Sequence, residues 1–209
     1  MENKLIINVG RQLGSGGCCI ARMLAEEFHC HFYDKEILNL AAQESGFSEK
    51  FFEQNDEHKG FLKSHFHINL PLLGSNDFYK NDFSQESLYQ IQSDAIRDAA
   101  EKFGRCVFVG RTADYVLRDY KDVINVFITA SLDFRIKNIC ERKHCNKEEA
   151  RKIIEHCESE RAKYYNYYTG KSWGHSTNYD LCIDTSILGL EATKDFIAAF
   201  IRRKNENKL

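Results

Sequence analysis

The 209-residue sequence contains little proline, few methionines and no long apolar segment. Its one proline is Pro71, and no run of about 18 apolar residues occurs, so we expect no membrane-spanning helix. Basic and acidic residues number 29 and 31, and the resulting net charge of −2 argues against a general nucleic-acid-binding protein. The first residues show no signal-peptide pattern, so we expect a cytoplasmic protein without a membrane partner.

The eight cysteines do not follow a spacing that indicates disulfide pairing. No C-x-x-C motif occurs, and Cys18 and Cys19 are adjacent at the predicted start of a helix. Without export, reduced thiols buried in the core are favoured over a disulfide framework. The histidines also lack the paired spacing of a structural zinc site, so we predict no metal site built from these side chains.

The N-terminal part of the chain has the pattern of one βαβ unit. Residues 5–9 form a β-branched apolar run, which is typical of a strand buried on both faces. Glycines follow at positions 10, 14, 16 and 17, and residues 31–33 give a second strand signal. Between them, apolar residues recur at helical spacing: Ile20, Ala21, Leu24, Ala25 and Phe28.

Three further strand candidates, at 106–109, 123–128 and 179–184, alternate with helical patterns. Asn146 with Glu149 three residues later predicts a capping box at the start of one helix. The closing helix is predicted to bury Phe196, Ile197, Phe200 and Ile201. The alternation predicts an α/β fold with a parallel sheet of about five strands and helices on both faces.

Residues 46–83 interrupt this alternation. They are rich in aromatic residues, contain Pro71 and show no clear period. We interpret them as a partly helical insertion within a single domain that spans residues 1–209. The aromatic residues are expected to serve packing or a contact between two copies of the chain, in preference to a ligand cage.

The glycine-rich loop between the first strand and the first helix is a candidate anion site. The first N–H groups of a helix have no partner within the helix, and the helix dipole adds partial positive charge there. Glycines let the backbone curl around phosphate oxygens with φ values that side chains resist. A tight turn that only packs the helix against the strand has the same sequence pattern.

Neither of the two common glycine motifs is complete in this loop. The dinucleotide fingerprint G-x-G-x-x-G fails because Cys19 stands where a glycine or alanine is needed. When the mononucleotide P-loop motif G-x-x-x-x-G-K-[ST] is aligned on Gly16, Arg11 replaces its first glycine and Gly17 replaces its lysine. The loop alone therefore leaves phosphate binding and simple packing both open.

Six segments in order resemble the cytidylate kinase-like proteins of bacteria, relatives of cytidylate kinase in which GSGG replaces the GSGK end of the P-loop. Trp173 belongs to the same resemblance. The segments are RQLGSGG (11–17), FYDKEIL (32–38), VGRTADYVL (109–117), FITAS (127–131), ERAKYY (160–165) and YDLCIDTS (179–186). Together they extend over most of the chain, and the insertion at 46–83 is poorly covered.

The resemblance implies a P-loop kinase fold, which is a three-layer α/β/α sandwich with an insertion that binds a nucleoside monophosphate (NMP) and an arginine-bearing lid. The lid is expected at about 135–171, where ten lysines and arginines against six glutamates give a local charge of +4. The resemblance further implies that ATP, with Mg²⁺, donates its γ-phosphate to a nucleoside monophosphate such as CMP or to another small acceptor.

The resemblance assigns roles to individual positions. Backbone amides would hold the donor phosphates at Gly14, Ser15, Gly16, Gly17, Cys18 and Cys19. Catalytic roles fall to Arg11, Asp34, Arg135 and Arg161, and acceptor binding falls to Arg111, Asp114 and Tyr115. Arg11 is the nearest cation that could replace the missing lysine. Asp34 could instead be the N-cap of the next helix. Ser15 could act as a cap or as a hydroxyl donor.

Three positions depart from the pattern of true cytidylate kinases. Gly17 brings no charge, and Cys19 offers a thiol, which is a poor ligand for Mg²⁺, where a hydroxyl is expected. Leu40 stands where an arginine is expected, so the acceptor cannot be inherited from those enzymes. Two classes of function stay open: a kinase in which Arg11 and the lid arginines compensate, and a nucleotide-binding regulatory or interaction protein with little turnover.

Overall fold

The computed structural model describes residues 4–34 and 85–206. The predicted insertion at 46–83 and Leu40 lie outside these ranges. The strands are β1 (Leu5–Arg11), β2 (His31–Tyr33), β3 (Arg105–Val109), β4 (Val123–Thr129) and β5 (Leu181–Asp184). The helices are α1 (Gly17–Glu27), α2 (Gln85–Phe103), α3 (Ala113–Val116), α4 (Leu132–Lys143), α5 (Lys147–Thr169) and α6 (Thr185–Glu206).

The five strands form one parallel sheet in the order β2-β3-β1-β4-β5, which confirms the predicted sheet. The central strand β1 pairs with β3 on one side and β4 on the other, so Val9 lies opposite both Val109 and Val126. All carboxyl ends of parallel strands meet at one edge of the sheet. The glycine loop after β1 and Gly110 after β3 are therefore neighbours, although they are far apart in sequence.

Helices cover both faces of the sheet, as the alternation predicts. Ile7 and Val9 point to the face that packs against α1 and α6, whereas Ile6 and Phe108 point to the face covered by α2 and α3. These side chains are all less than 2% exposed. Burial on both faces explains why the strands read as continuous apolar runs.

Helices α4 and α5 form a hairpin in the range predicted for the lid. A separate apolar cluster joins them: Ile136, Ile139, Ala150 and Ile154. His144 ends α4 in the left-handed conformation (φ 51°), and Asn146 begins α5 with the predicted capping box to Glu149. Whether this hairpin closes over a ligand stays a prediction.

Two predictions about burial are wrong. All eight cysteines are free, as expected, but only Cys106 is buried, while Cys18, Cys19 and Cys182 are exposed. The first two face outward in the first turn of α1, and the third lies on the edge strand β5. Phe196 is 53% exposed because the buried stripe of α6 runs through Thr193, Ile197 and Ile201, four residues apart, which leaves Phe196 one position to the side.

Among the described helices, none combines the length and apolar character needed to cross a membrane.

Candidate active site

The glycine loop joins the carboxyl end of β1 to the N-terminus of α1. Gly14 and Gly16 have φ values of 81° and 77°, in the left-handed region that side chains rarely adopt. Gly16 is also the N-cap of α1, and no side chain caps the helix from that position. The first turn of α1 thus presents amide groups at the end of the loop, which is the arrangement that binds anions in other proteins.

Ser15 stabilises the loop from within. Its buried hydroxyl donates to the carbonyl oxygen of Gln12 at 2.9 Å and accepts from the amide of Gly17 at 3.4 Å. The carbonyl oxygen of Ser15 accepts a hydrogen bond from the Thr185 hydroxyl at 2.7 Å. The Ser15 hydroxyl thus joins the loop to the first amide of α1, and a contact with a ligand stays a prediction.

Arg11 fills the space beside Gly17, the position aligned with the P-loop lysine. A Cβ atom added to Gly17 would lie 2.6 Å from Cβ and 3.2 Å from Cγ of Arg11. The guanidinium of Arg11 continues to Gly110 at the end of β3, where an added Cβ would collide with Nη1. Glycine at both positions therefore makes room for the Arg11 side chain across the carboxyl ends of β1 and β3.

Three arginines converge at this edge of the sheet. Arg161 on α5 donates from Nη1 to the carbonyl oxygen of Arg11 at 2.9 Å, and Arg111 follows Gly110 directly. Burial, with the positive charges of Arg161 and Arg111, lowers the pKa of Arg11 to about 9. Within residues 4–34 and 85–206, no carboxylate forms a salt bridge with any of the three. This unneutralised positive charge favours an anion beside the glycine loop.

The backbone at Arg111 is strained. Gly110, Arg111 and Thr112 have successive φ values of 74°, 55° and 55°, and the last two are not glycine. The Thr112 hydroxyl donates to the carbonyl oxygen of Arg111 at 2.6 Å, and the Arg111 guanidinium carbon lies 5.4 Å from the centre of the Tyr164 ring. Backbone strain of this kind is concentrated at binding and catalytic sites.

Asp114 and Tyr115, the other predicted acceptor residues, lie on the short helix α3. Asp114 accepts a hydrogen bond from the Tyr165 hydroxyl at 2.7 Å, so α3 is tied to α5. Burial raises the pKa of Asp114 above its usual value, and the hydrogen bond from Tyr165 opposes that rise. Tyr115 stacks against the Arg118 guanidinium, with 4.3 Å from the guanidinium carbon to the ring centre. Contact of either residue with an acceptor base stays a prediction.

Asp34 lies just beyond β2, with its carboxylate 3.9 Å from Nη2 of Arg22. Partial desolvation of the Cys18 thiol raises its pKa, and the negative charge of Asp34 adds to that rise. Asp34 therefore belongs to the edge that carries the glycine loop. The helix that it was expected to cap lies outside the described residues.

Arg135 is placed differently from the other predicted catalytic arginines. It is buried, and its Nη1 forms a salt bridge with Glu158 at 2.6 Å while its Nε donates to the carbonyl oxygen of Ala130 at 3.0 Å. A buried guanidinium needs such partners because desolvating an unpaired charge is costly. Its guanidinium is thus engaged with α5 and with the start of α4, apart from the cluster of Arg11, Arg111 and Arg161.

A cluster of tyrosines joins α2 to α5, and it was not predicted. The rings of Tyr89 and Tyr168 stack in parallel with centres 3.8 Å apart, and Tyr164 packs edge-on against Tyr168 at 4.8 Å. The Tyr164 hydroxyl donates to Gln92 at 3.3 Å. The i, i+4 spacing of the two α5 tyrosines was visible in the sequence, but nothing in it pointed to Tyr89.

Among the described residues, few side chains beside the loop could bind Mg²⁺. Within the described part of the chain, no group of three His, Cys, Asp or Glu side chains is arranged to hold a metal ion. Asp34 is one carboxylate at this edge of the sheet, whereas the Glu158 carboxylate, which accepts from the Leu13 amide, is paired with Arg135. The loop amides and arginines fit a phosphate chain, whereas Mg²⁺ would rely on Asp34, water and the phosphates themselves.

The chain is similar to several known proteins. The cytidylate kinase of Methanopyrus kandleri is 26% identical over 207 residues, which cover 94% of this chain and 93% of that protein. The cytidylate kinase of Sulfolobus acidocaldarius is 36% identical over 139 residues, or 66% of this chain and 74% of that protein. An uncharacterized protein from Eubacterium ventriosum superimposes with a TM-score of 0.71 at 25% identity, covering 95% of this chain and 99% of the other.

More distant structures share the fold. Shikimate kinase from Bacteroides thetaiotaomicron superimposes with a TM-score of 0.54 at 11% identity and covers 96% of this chain and 99% of the other. The sheet order and this likeness show the three-layer α/β/α P-loop fold. The sequence pattern of the Cytidylate kinase-like family matches residues 6–187. The chain therefore belongs to the Cytidylate kinase-like family.

Proposed function

We propose that the protein is a nucleotide kinase that transfers the γ-phosphate of ATP to a nucleoside monophosphate such as CMP, or to another small acceptor. The observation that carries the proposal is the convergence of Arg11, Arg111 and Arg161 on the glycine loop without a carboxylate partner among the described residues. Phosphoryl transfer is catalysed mainly by positioning and by cations that stabilise charge on the transferring group. Membership of the family supports the same activity.

On the donor side, the amides of residues 14–19 would hold the β- and γ-phosphates of ATP. Arg11 supplies the positive charge that a P-loop lysine supplies elsewhere, since its side chain occupies the region beside Gly17. Arg161 reaches the same place from α5 through its hydrogen bond to the Arg11 carbonyl oxygen. Mg²⁺, when bound, neutralises phosphate charge, and Asp34 is the side chain that would orient it or accept the acceptor's proton.

On the acceptor side, Arg111 would bind the phosphate of the monophosphate. It extends from the end of β3, one strand away from the donor loop, so the two substrates would meet above β1 and β3. Asp114 and Tyr115 follow on α3 and would contact the base or sugar, while the Tyr164 ring beside Arg111 offers an aromatic surface. Because Leu40 replaces an arginine of true cytidylate kinases, the choice of CMP needs direct measurement.

A second candidate function is a nucleotide-binding regulatory or interaction protein with little turnover. Gly17 and Cys19 favour it, because they remove the lysine charge and the magnesium hydroxyl of the usual P-loop. For either function, we propose that the protein is cytoplasmic and forms a single domain. The insertion at 46–83 is a candidate contact between two copies of the chain.

The test is ATP turnover against a panel of nucleoside monophosphates with the wild type and the Arg11→Ala and Arg161→Ala variants. Loss of one such electrostatic contact lowers the rate by about 10²–10³. Arg203→Ala is the matched control, since Arg203 is exposed on α6 and pairs only loosely with Glu206 at 3.8 Å. Nucleotide binding without turnover for any acceptor favours the regulatory function, and absence of nucleotide binding contradicts both.

A further inference from the structure

Glu158 on α5 contacts the glycine loop and a buried arginine with the same oxygen. Its Oε1 accepts from Nη1 of Arg135 at 2.6 Å and from the backbone amide of Leu13 at 3.2 Å. The side chains are 20% and 9% exposed for Glu158 and Arg135, so this ion pair is largely removed from solvent. Hydrogen bonds to charged groups contribute more to stability than neutral ones.

Three further contacts hold the α4–α5 hairpin to Leu13 and to the next loop residue, Gly14. The Leu13 side chain packs into the apolar cluster of the hairpin, and Asn138 on α4 donates from Nδ2 to the Gly14 carbonyl oxygen at 2.8 Å. The α4 backbone also approaches Gly14 so closely that an added Cβ would lie 2.8 Å from the Arg135 carbonyl oxygen. The hairpin therefore contacts the loop at residues 13–14, just before the N-terminus of α1 at residues 16–17.

Glu158 and Arg161 are three residues apart on α5, so they lie on the same side of the helix. Arg161 donates to the carbonyl oxygen of Arg11, at the start of the loop, while Glu158 accepts from Leu13 two residues later. The two contacts fix the axial position and rotation of α5 relative to the loop. Together they place Arg161 beside Arg11.

We propose that Glu158 is a positioning residue that holds α5 on the glycine loop and so sets Arg161 and Arg11 for phosphate binding. The role of Arg135 is to compensate the charge of Glu158, which differs from the catalytic role that the family resemblance implies. Arg161 accordingly contacts the loop from the base of the predicted lid. This inference rests on the proposed function only for its kinetic consequences.

The variants separate positioning from general stabilisation. Glu158→Ala removes both contacts to Glu158 Oε1. Glu160→Gln is the matched control, because Glu160 is exposed two residues away and contacts Lys163 at the surface. The pair Arg135→Met with Glu158→Leu replaces the buried ion pair by apolar side chains, which commonly preserves stability. If Glu158→Ala does not fold, this double variant tests the proposal in its place.

The experiment measures hydrogen exchange of the Leu13 amide and the ATP affinity and turnover of each variant, alone and combined with Arg161→Ala. We expect Glu158→Ala to speed exchange at Leu13 by about 10- to 100-fold and to weaken ATP binding by about 10-fold. With Arg161→Ala already present, the effect on ATP should shrink to less than about 2-fold, since coupled residues are non-additive. The apolar pair should fold yet show the same losses.

The inference would be overturned if Glu158→Ala weakened ATP binding equally in the wild type and in the Arg161→Ala variant. It would also be overturned if the Leu13 amide exchanged at the wild-type rate in Glu158→Ala or in the apolar pair. Recovery of ATP binding by the apolar pair would show that Glu158 is merely structural. Leu13 exchange is read without nucleotide, so it tests the contact even in a protein that shows no turnover. Absence of turnover together with the expected Leu13 response would contradict only the proposed kinase activity.

Discussion

The side chain of Arg11 occupies the space that any side chain at position 17 would need, because a Cβ on Gly17 would lie 2.6 Å from Cβ of Arg11. Both positions depart from the P-loop motif: arginine replaces its first glycine, and glycine replaces its lysine. The two departures are therefore one structural exchange. A cationic side chain still lies beside the loop, but it extends from β1 instead of α1.

Lysine at position 17 alone should destabilise the protein. Gly17→Lys forces the new Cβ against Arg11 and Ile128, and overpacking of this kind costs about 1–3 kcal/mol in free energy of unfolding. Urea unfolding measures the change. Cys19→Lys serves as the control, since Cys19 is exposed in the same turn and should change stability by less than about 0.5 kcal/mol. Equal stability of the two variants would contradict the close packing of Arg11 on Gly17.

ATP affinity should depend on pH in the alkaline range. The pKa of Arg11 is about 9 in the free protein, and a bound anion favours the charged guanidinium. Affinity should thus be level below pH 9 and fall above it, by up to about 10-fold per pH unit. Calorimetric titration between pH 7.5 and 10.5 measures this slope. Arg11→Ala should bind weakly with no such fall, and a matching fall in that variant would assign the titration to another group.

Asp114 should reduce stability at neutral pH, because its pKa is raised by burial. In the unfolded chain it ionises near pH 3.9, whereas the folded protein resists ionisation, so its contribution to stability falls as the pH rises through that value to the folded pKa. Asp114→Asn should therefore raise the melting temperature at pH 7 more than at pH 3. Asp119→Asn, at an 86% exposed side chain, is the control with little change at either pH.

The strained backbone at Arg111 predicts opposite effects on stability and activity. Arg111→Gly relieves a left-handed φ of 55°, which should stabilise the fold by about 1 kcal/mol after the entropic cost of glycine. The same change removes the guanidinium and should raise KM for the acceptor at least 10-fold. Arg111→Ala loses the guanidinium but keeps the strain, so it should share the kinetic defect without the gain in stability. If Arg111→Ala were stabilised as well, backbone strain would not be the cause of the gain in stability.

The local features of the site were predictable from the sequence. Glycines at 14 and 16 and the capping box at Asn146 are set by short-range requirements of φ and hydrogen bonding, whereas Arg111 was expected from the resemblance to the family. The pairing of Arg135 with Glu158 was not predictable, because it joins two helices across 23 residues and depends on how they pack.

Dependence on the packing of distant segments also explains the other differences between the sequence predictions and the structure. The resemblance to the family implies a catalytic role for Arg135, but it carries no information on the burial of that side chain. Tyr89 stacks on Tyr168 from a different helix, which no periodicity within either helix reveals. Phe196 was assigned to the wrong face because a helical stripe read from one sequence is uncertain by one position, whereas the packing of α6 on the sheet fixes it.

The most direct measurement is the phosphotransfer rate of the exchange variant Arg11→Gly with Gly17→Lys, compared with both single variants. The double variant restores the motif G-x-x-x-x-G-K and moves the cation from β1 to α1 without overfilling the loop. Our account predicts that each single variant loses about 10²-fold or more in kcat/KM and that the double variant regains at least 10-fold over Arg11→Gly. A double variant no more active than Arg11→Gly would contradict the conclusion that Arg11 takes the place of the P-loop lysine.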